Sequence, residues 1–582
     1  MKCFRFFILA FLLAAPFIAS AQYHDNIWLA GYGGGSQSPG DTTFGISILD
    51  FTDGSLSIEN NQVIEMNFQD TNAGICDEQG NLLFYFNGIY IEDASFQTME
   101  NGEELNEWNL GGYDLPQGGL ILPSPGDENQ YFLLHSEEGY IDYPGWYLEV
   151  VGLYYSIVDM QENNGLGAVV LKKEPLIIDT LEYGKITATK HANGRDWWIL
   201  MNESHSNRYY KMLLDDNGLS VVDAQEIGLP TIQGDGQSVF SPDGTKYVMF
   251  NTVDLTQGQF IEIYDFDRCT GYLDNHRRIQ YDEDAYAGGV AISPNSRFLY
   301  VSSYTKIYQF DLWEADIEAS KKTVAEYDGF VSPLPTRFYQ AQLAADGKIY
   351  ITCTNSVNIL HVIHSPNLEG LACRVEQHGI QLPTYNSFAA PNFPNYRLGP
   401  IDGSPCDTLG IDNIPLAGFR CEVDTVCPLV VYFTDLSHYE PLSWWWEFGD
   451  GNTSPEVNPA YEFPAPGVYE VCLTVVNQYG SDTKCKEINL SVTSTEGLSN
   501  RLEKIEVYPN PASGQVELSF FKNIPMAGAK IRVFDISGNP VFQKEIKGVQ
   551  VNLDLSHLPS GIYLVSLQSD RQVVNKKLIL HK

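Results

Sequence analysis

Between residues 22 and 400 the chain alternates polar turns with short apolar or aromatic runs. Asp77-Glu78-Gln79-Gly80-Asn81 precedes Leu82-Leu83-Phe84-Tyr85, and Asn193-Gly194-Arg195-Asp196 precedes Trp197-Trp198-Ile199-Leu200. The pattern returns as Ser241-Pro242-Asp243-Gly244 before Tyr247-Val248-Met249, Ser293-Pro294-Asn295-Ser296 before Phe298-Leu299-Tyr300-Val301, and Ala345-Asp346-Gly347 before Ile349-Tyr350-Ile351. Apolar runs this short, bounded by Gly, Pro, Asn and Asp, predict strands. The turn positions 194, 244, 296 and 347 recur at about 50 residues, the period of a propeller blade. A region of roughly 380 residues then holds about seven blades, with Gly126 to Gly194 counted as one elongated interval. Pro sets φ early in each turn and Gly or Asn tolerates positive φ, so the Asp residues here are read as turn formers instead of calcium ligands.

Two more strand-rich segments follow. Leu429-Val430-Val431-Tyr432-Phe433, Ser443-Trp444-Trp445-Trp446-Glu447-Phe448 and Val468-Tyr469-Glu470-Val471-Cys472-Leu473 predict an immunoglobulin-like sandwich over 416–492. Alternation puts Trp444 and Trp446 on one face and turns Trp445 to the other, where an indole can stack on a sugar ring. From residue 505 to 582, runs such as Gln515-Val516-Glu517-Leu518-Ser519-Phe520 and Lys530-Ile531-Arg532-Val533-Phe534 alternate cleanly and predict a smaller β-sandwich. The expected fold class is all-β: a propeller of about seven blades (22–400) and two sandwiches, with linkers at 401–415 and 493–504.

The N-terminus reads as an export signal over 1–21. Lys2 and Arg5 precede an apolar run at 6–18, and Ala19-Ser20-Ala21 offers a small-residue cleavage site before Gln22. No other segment has the roughly 18 to 20 uninterrupted apolar residues of a membrane helix, so no transmembrane segment is expected. The chain of 582 residues carries 35 Lys+Arg against 74 Asp+Glu, a formal charge of −39. Such a polyanion is repelled by phosphate backbones and anionic lipid, which argues against nucleic acid and membrane surfaces as partners. With 43 % hydrophobic and 13 % aromatic residues it still builds packed cores. Residues 503–582 hold ten Lys/Arg and seven Asp/Glu, so the acidity belongs to the part before this tail.

Export places the cysteines where disulfides persist. Ten Cys without Cys3 leave nine, an odd number. Cys472 and Cys485 lie nearly equidistant from the turn at Tyr479-Gly480, and Cys421 and Cys427 lie symmetrically about Asp424; both are candidate cross-strand pairs. Pairing of Cys76, Cys269, Cys353, Cys373 and Cys406 stays open.

Several strings carry resemblances. Phe433-Thr434-Asp435, Trp446-Glu447-Phe448-Gly449-Asp450-Gly451, Asn458-Pro459 and Pro466-Gly467-Val468-Tyr469 resemble the PKD domain, which implies a spacer or weak binding module. Tyr508-Pro509-Asn510-Pro511, Val533-Phe534-Asp535-Ile536-Ser537-Gly538, Leu558-Pro559-Ser560-Gly561-Ile562-Tyr563 and Lys576-Lys577-Leu578-Ile579 resemble the C-terminal sorting domain of type IX secretion substrates. That resemblance implies export across the outer membrane of a Bacteroidota-type cell, recognition by the type IX machinery and removal of the tail. Gly80-Asn81-Leu82-Leu83-Phe84-Tyr85, Phe266-Asp267-Arg268-Cys269-Thr270-Gly271 and Gly347-Lys348-Ile349-Tyr350 are similar to exported Bacteroidota propellers, from which Ala389-Ala390-Pro391-Asn392-Phe393 departs by replacing a usual Gly-Leu pair. This last family implies architecture and no settled activity.

Chemistry is sparse in the sequence. His361 and His364 are three apart in an apolar strand pattern, where they face opposite ways, so they do not form a zinc pair. Gly234-Asp235-Gly236-Gln237-Ser238 lacks the second Gly of a nucleophile elbow, and the adjacent acids Asp282, Glu283 and Asp284 read as a solvated loop. The densest polar cluster contains His191, Arg195 and Asp196 in one turn; these are candidate ligand contacts if blade loops line a binding face, and otherwise satisfy the turn itself. With Trp445 they complete the candidate binding set; no catalytic residue, metal or cofactor is assigned. The expected function is a secreted or surface-attached non-catalytic binding protein, with a glycan or surface protein as partner. The alternative is an exported carbohydrate-active or other hydrolytic enzyme using propeller carboxylates.

Overall fold

The computed structural model describes residues 23–33, 43–107, 112–142, 146–231, 234–252, 258–281, 283, 287–424, 427–491, 505–508, 512–520, 530–535, 539–545, 550–568 and 573–581. The expected signal at 1–21 and the linker at 493–504 lie outside these residues. The described chain is all-β, with three short 3-10 turns and no α-helix. It divides into two compact units, one of residues 1–421, 433–459 and 471–486, the other of 422–432, 460–470 and 487–582.

In the first unit the described residues from Ile27 to Asn386 form seven antiparallel sheets, two three-stranded and then five four-stranded. Each is a meander in which sequence neighbours pair, as local turns dictate. The strands that begin the sheets from the second onward are Ala73–Cys76, Gly119–Pro123, Thr187–Lys190, Asp235–Phe240, Gly288–Ile292 and Phe338–Leu343. None of their residues is exposed. The elongated interval after Gly126 is filled by one sheet whose central hairpin, Gln130–Asp142 with Trp146–Asp159, is unusually long.

The repeated turn does the local work. In Ser241-Pro242-Asp243-Gly244 the Gly244 amide donates to the Ser241 carbonyl at 2.7 Å, and the Ser241 hydroxyl accepts the Lys246 amide at 2.9 Å where the next strand starts. Gly244 has φ +70°, and a Cβ there would lie 2.7 Å from Arg268 Cδ, so only glycine fits without displacement. The Asp243 carboxylate accepts the Thr245 amide at 3.0 Å, the behaviour of a turn former.

The starting strands converge on one axis, and side-chain amides stitch them together where neighbouring sheets cannot share a ladder. Gln117 exchanges hydrogen bonds with the backbone of Ser238 at 2.7 and 2.9 Å. Gln237 accepts the amides of Val290 and Ala341 at 3.2 and 2.8 Å. The axis itself is filled by the segment after the seventh sheet. Asn392 donates to the carbonyls of Gly119 and Ile186, both at 2.9 Å, its amide donates to Asn72 O at 2.9 Å, and Tyr396 donates to Ile121 O at 2.8 Å. The Pro391-Asn392-Phe393 motif thus works as a plug. The ring closes where Val375–Asn386 reaches the first sheet, through Ser47 Oγ to Thr384 Oγ1 at 2.7 Å and the Tyr385 amide to Thr43 O at 2.9 Å.

Also in the first unit, Trp446 is fully buried against Phe419 and Phe433, with ring centroids 5.1 and 5.2 Å apart. Trp445 on the same strand is 48 % exposed, as period-two alternation requires. In the second unit Val430, Val431 and Tyr432 pair with Glu462, Tyr461 and Ala460. Its C-terminal part holds two sheets of three and four strands around Val516, Leu518, Ile531, Val533, Leu553 and Leu578.

The disulfides agree with one candidate pair and correct the other. Cys472 and Cys485 are bonded, with Cα atoms 4.1 Å apart. Cys421 and Cys427 are not bonded to each other or to any other cysteine. The Asp424 amide donates to Val430 O and the Val430 amide to Cys427 O, both at 2.8 Å, so the chain reverses around Cys427 itself. Cys421 is on the strand Phe419–Val423 and Cys427 in the turn, which removes the cross-strand geometry a bridge needs. A second bridge joins Cys269 to Cys406 across 137 residues.

Candidate functional site

The ends of the first strands opposite the repeated turns form a mouth around the axis. Asp70 precedes the second sheet, Asp114 the third, Asp235 opens the fifth, and Tyr339 lies at the start of the seventh. The Tyr339 hydroxyl is 3.0 Å from Asp70 Oδ1 and 3.2 Å from Asp235 Oδ1. Residues from three sheets spread around a ring can meet only at its centre. Glu138 joins them, its amide accepted by Tyr113 OH at 3.1 Å, and the Tyr183 hydroxyl donates to Asp114 O at 2.6 Å. Behind Asp235, the fully buried Lys185 donates to Glu182 Oε1 at 3.2 Å and to Gly234 O at 2.6 Å.

A phenol has one proton, so it donates to one carboxylate only; the other contact is satisfied when the second acid is protonated and donates to the phenol oxygen. The environment supplies that state. Desolvation, reinforced by the charge of Asp235, holds the Asp70 carboxyl well above the ordinary range. Desolvation pushes Asp235 up to about 6 against the opposing charge of Lys185, and pushes Glu138 up to about 7 with help from Asp114. One oxygen each of Asp114 and Glu138 is buried with no hydrogen-bond partner. Tyr339 is itself held protonated by burial and by the two acids.

Acids raised in the folded state hold more protons than the unfolded chain. Their stabilising contribution is therefore full near pH 4 and declines as pH rises towards about 6 for Asp235 and about 7 for Glu138. Asp235→Asn is expected to flatten that decline in denaturation curves recorded across this range; an unaltered slope would show that Asp235 does not contribute to it.

The residues singled out in the sequence lie elsewhere. His191, Arg195 and Asp196 do come together, in the turn at the opposite end of the strand Thr187–Lys190. Arg195 Nε donates to Asp196 Oδ1 at 2.7 Å, Asn193 Nδ2 donates to Asp196 Oδ2 at 2.7 Å, and His191 Nδ1 accepts the Asn193 amide at 3.0 Å. His191 Nε2 is 3.2 Å from Cys269 O. His361 and His364 diverge: His361 is buried, while His364 meets Glu376 at 2.8 Å. His361 Nε2 also lies 3.3 Å from Cys353 Sγ, a Cys–His contact that is not a reactive pair. Its Nδ1 accepts the His378 amide at 3.0 Å, leaving Nε2 to donate to Thr336 O at 2.9 Å. Burial pulls the imidazole down to about 4 and pushes the thiol up, so neither ionises near neutral pH. Of the acidic run, Glu283 binds Lys306 at 3.2 Å and the Tyr308 hydroxyl; Asp282 and Asp284 lie outside the described residues.

Residues 506–581 match the secretion system C-terminal sorting domain and residues 419–493 match the PKD domain. The tail is a type IX sorting domain. The sorting domain marks the chain for export by the type IX machinery, with which it interacts, to the extracellular or outer-membrane surface, and the PKD domain accords with an extracellular role. No helix among the described residues is long and apolar enough to cross a membrane. A search of curated proteins finds no match. Among solved structures, the PKD1 domain of Vibrio anguillarum Epp is 30 % identical over 14 % of this chain and 100 % of its own, with a TM-score of 0.13. A Lactobacillus plantarum protein is 13 % identical over 62 % of this chain and 99 % of its own, with a TM-score of 0.35. A quinoprotein alcohol dehydrogenase-like protein of Bacteroides thetaiotaomicron is 13 % identical over 62 % of this chain and 76 % of its own, with a TM-score of 0.31. Likeness at this level says nothing of ligand or activity.

Proposed function

We propose that the exported chain is a non-catalytic binding protein whose ligand enters the acid-lined mouth of the propeller, with the PKD module as a spacer. The observation that carries this reading is Tyr339 joining Asp70 to Asp235 above an axis filled by residues 387–396. A partly protonated carboxyl set both donates and accepts hydrogen bonds, which suits the hydroxyls of a glycan or the ammonium groups of a surface protein. Tyr339 and Asp70 both favour their protonated forms, so neither is prepared as a nucleophile. The trio His191, Arg195 and Asp196 is engaged with Asn193, Cys269 O and Asp216, and the ligand is assigned to the mouth instead.

Glycan and protein arrays probed with the chain from residue 22 test this. An Asp70→Asn/Asp235→Asn variant is expected to lose binding while its far-UV circular dichroism is kept; binding equal to wild type would reject the mouth. If sugars are the ligand, the exposed Trp445 is a second contact. Trp445→Ala then weakens binding about three- to tenfold, the scale of one aromatic stacking contact, and unchanged array signals remove it from the site.

A hydrolytic reading is favoured by one observation, the Glu138 carboxyl at about 7, a value suited to a general acid. Turnover of polysaccharide or peptide substrates that disappears in Glu138→Gln would replace the binding reading.

A further inference from the structure

We propose that the end of the propeller bearing the repeated turns carries a glycan site of its own, separate from the mouth, at which Trp313 stacks on a neutral pyranose ring. Trp313 lies in the loop after the strand Lys306–Asp311 of the sixth sheet and is 65 % exposed. A single exposed apolar side chain is ordinary on a protein surface. This one has apolar neighbours. Leu368 and Leu371, the latter 79 % exposed, lie in the corresponding loop of the seventh sheet, after Val357–Ile363. The Asn295 amide ties the two sheets together there by donating to Asn367 Oδ1 at 3.0 Å. An exposed apolar patch with a polar rim marks a contact surface.

The indole is held in place from below. Asp311 accepts the Trp313 amide at 3.0 Å through Oδ1, and through Oδ2 it accepts Arg297 Nε at 2.9 Å and Nη2 at 2.7 Å. The guanidinium fixed in this way lies over the Trp313 ring, 5.3 Å from its centroid, and 4.8 Å from the centroid of Phe298. Arg297 thus backs one indole face and leaves the other to solvent. An aromatic face carries partial negative charge, which favours the C–H groups on the apolar face of a sugar ring. The size and charge of the patch select that occupant. A protein partner needs about 800 Å² on each side, whereas one indole and two leucines here share their loops with the exposed acids Glu314, Asp316, Glu318 and Glu369. An anionic sugar is disfavoured too. Arg297 is held by Asp311, with Glu369 and Glu314 adding to the favourable charge around it, and Lys322 is paired with Glu369. The surplus charge is therefore acidic, while neutral hydroxyls can donate to these carboxylates and accept from Lys322.

The test titrates the chain from residue 22 by calorimetry with cellohexaose, mannohexaose, xylohexaose and chitohexaose, and with trigalacturonate as the anionic comparison. At least one neutral hexasaccharide is expected to bind and to change the tryptophan fluorescence. Trp313→Ala should weaken that binding about tenfold or more, the scale of an aromatic hot spot. Trp313→Phe should retain most of it, and the melting temperature should not change in either variant, since the ring is exposed. The same titrations in the Asp70→Asn/Asp235→Asn background separate this site from the mouth. Binding that is lost in Trp313→Ala and kept in the mouth variant supports the site whatever the mouth takes. Binding that Trp313→Ala leaves equal to wild type overturns the site and keeps the mouth. Failure of all four neutral hexasaccharides, or tighter binding of trigalacturonate than of any of them, overturns it as well.

Discussion

Asp25→Ala is expected to lower the folding stability by about 3 to 5 kcal/mol, the cost of leaving a buried charge without its partner. Arg397 grips Asp25 with two nitrogens, one at 2.9 Å, and also reaches Asn26 Oδ1 at 3.2 Å. The two side chains are only 6 % and 10 % exposed. The pair fastens the start of the first sheet to the strand of chain leaving the axis, so it closes the ring as well as balancing charge. Guanidinium chloride unfolding followed by tryptophan fluorescence measures the loss. An Asp25→Leu/Arg397→Met double variant should recover most of it, since replacing both partners removes the desolvation cost. A loss below about 1 kcal/mol for Asp25→Ala, the range of an exposed ion pair, would show that the pair does not hold the ring.

The Cys269–Cys406 bridge should contribute comparably. Closing a loop of 137 residues restricts the unfolded chain by up to about 5 kcal/mol on the chain-entropy model, against about 3 kcal/mol for the 13-residue separation of Cys472 and Cys485. The double variant Cys269→Ser/Cys406→Ser is therefore expected to lose about 2 kcal/mol more than Cys472→Ser/Cys485→Ser in urea unfolding. Equal losses, or a larger one for the short loop, would contradict that ordering. The long bridge also ties the turn at Cys269 to the segment after the plug. In the same unit Arg420 donates to Asp346 O at 2.5 Å. Both links lie within the first unit.

Some of the candidate chemistry was legible only in part. The Cys472–Cys485 bridge could be read because a hairpin's register follows from its turn. The same symmetry argument failed for Cys421 and Cys427, because the reversal falls on Cys427 and not on Asp424. Trp445 was placed correctly by alternation, a local property of a strand. The mouth was missed although a weak signal existed: an acid recurs ahead of a starting strand at Asp70 and Asp114 and opens one at Asp235. Read singly, each was an ordinary loop carboxylate, and Gly234-Asp235-Gly236-Gln237-Ser238 drew notice only as a failed elbow. The cluster that did draw notice, His191 with Arg195 and Asp196, lies in the turn at the opposite end of the strand Thr187–Lys190, bonded within itself and to Cys269 O and Asp216.

What the sequence by itself determined was strand content, the repeat of about 50 residues, and the order of propeller, PKD module and sorting domain. These follow from turn chemistry and alternation, which act over a few residues. The tertiary structure alone decided that Asp70, Asp235 and Tyr339 share a hydrogen-bonded centre, that Pro391-Asn392-Phe393 fills the axis, and that Cys269 finds Cys406. Each depends on the ring closing, which brings together residues more than a hundred positions apart, and their pKa values depend on the desolvation that closure imposes.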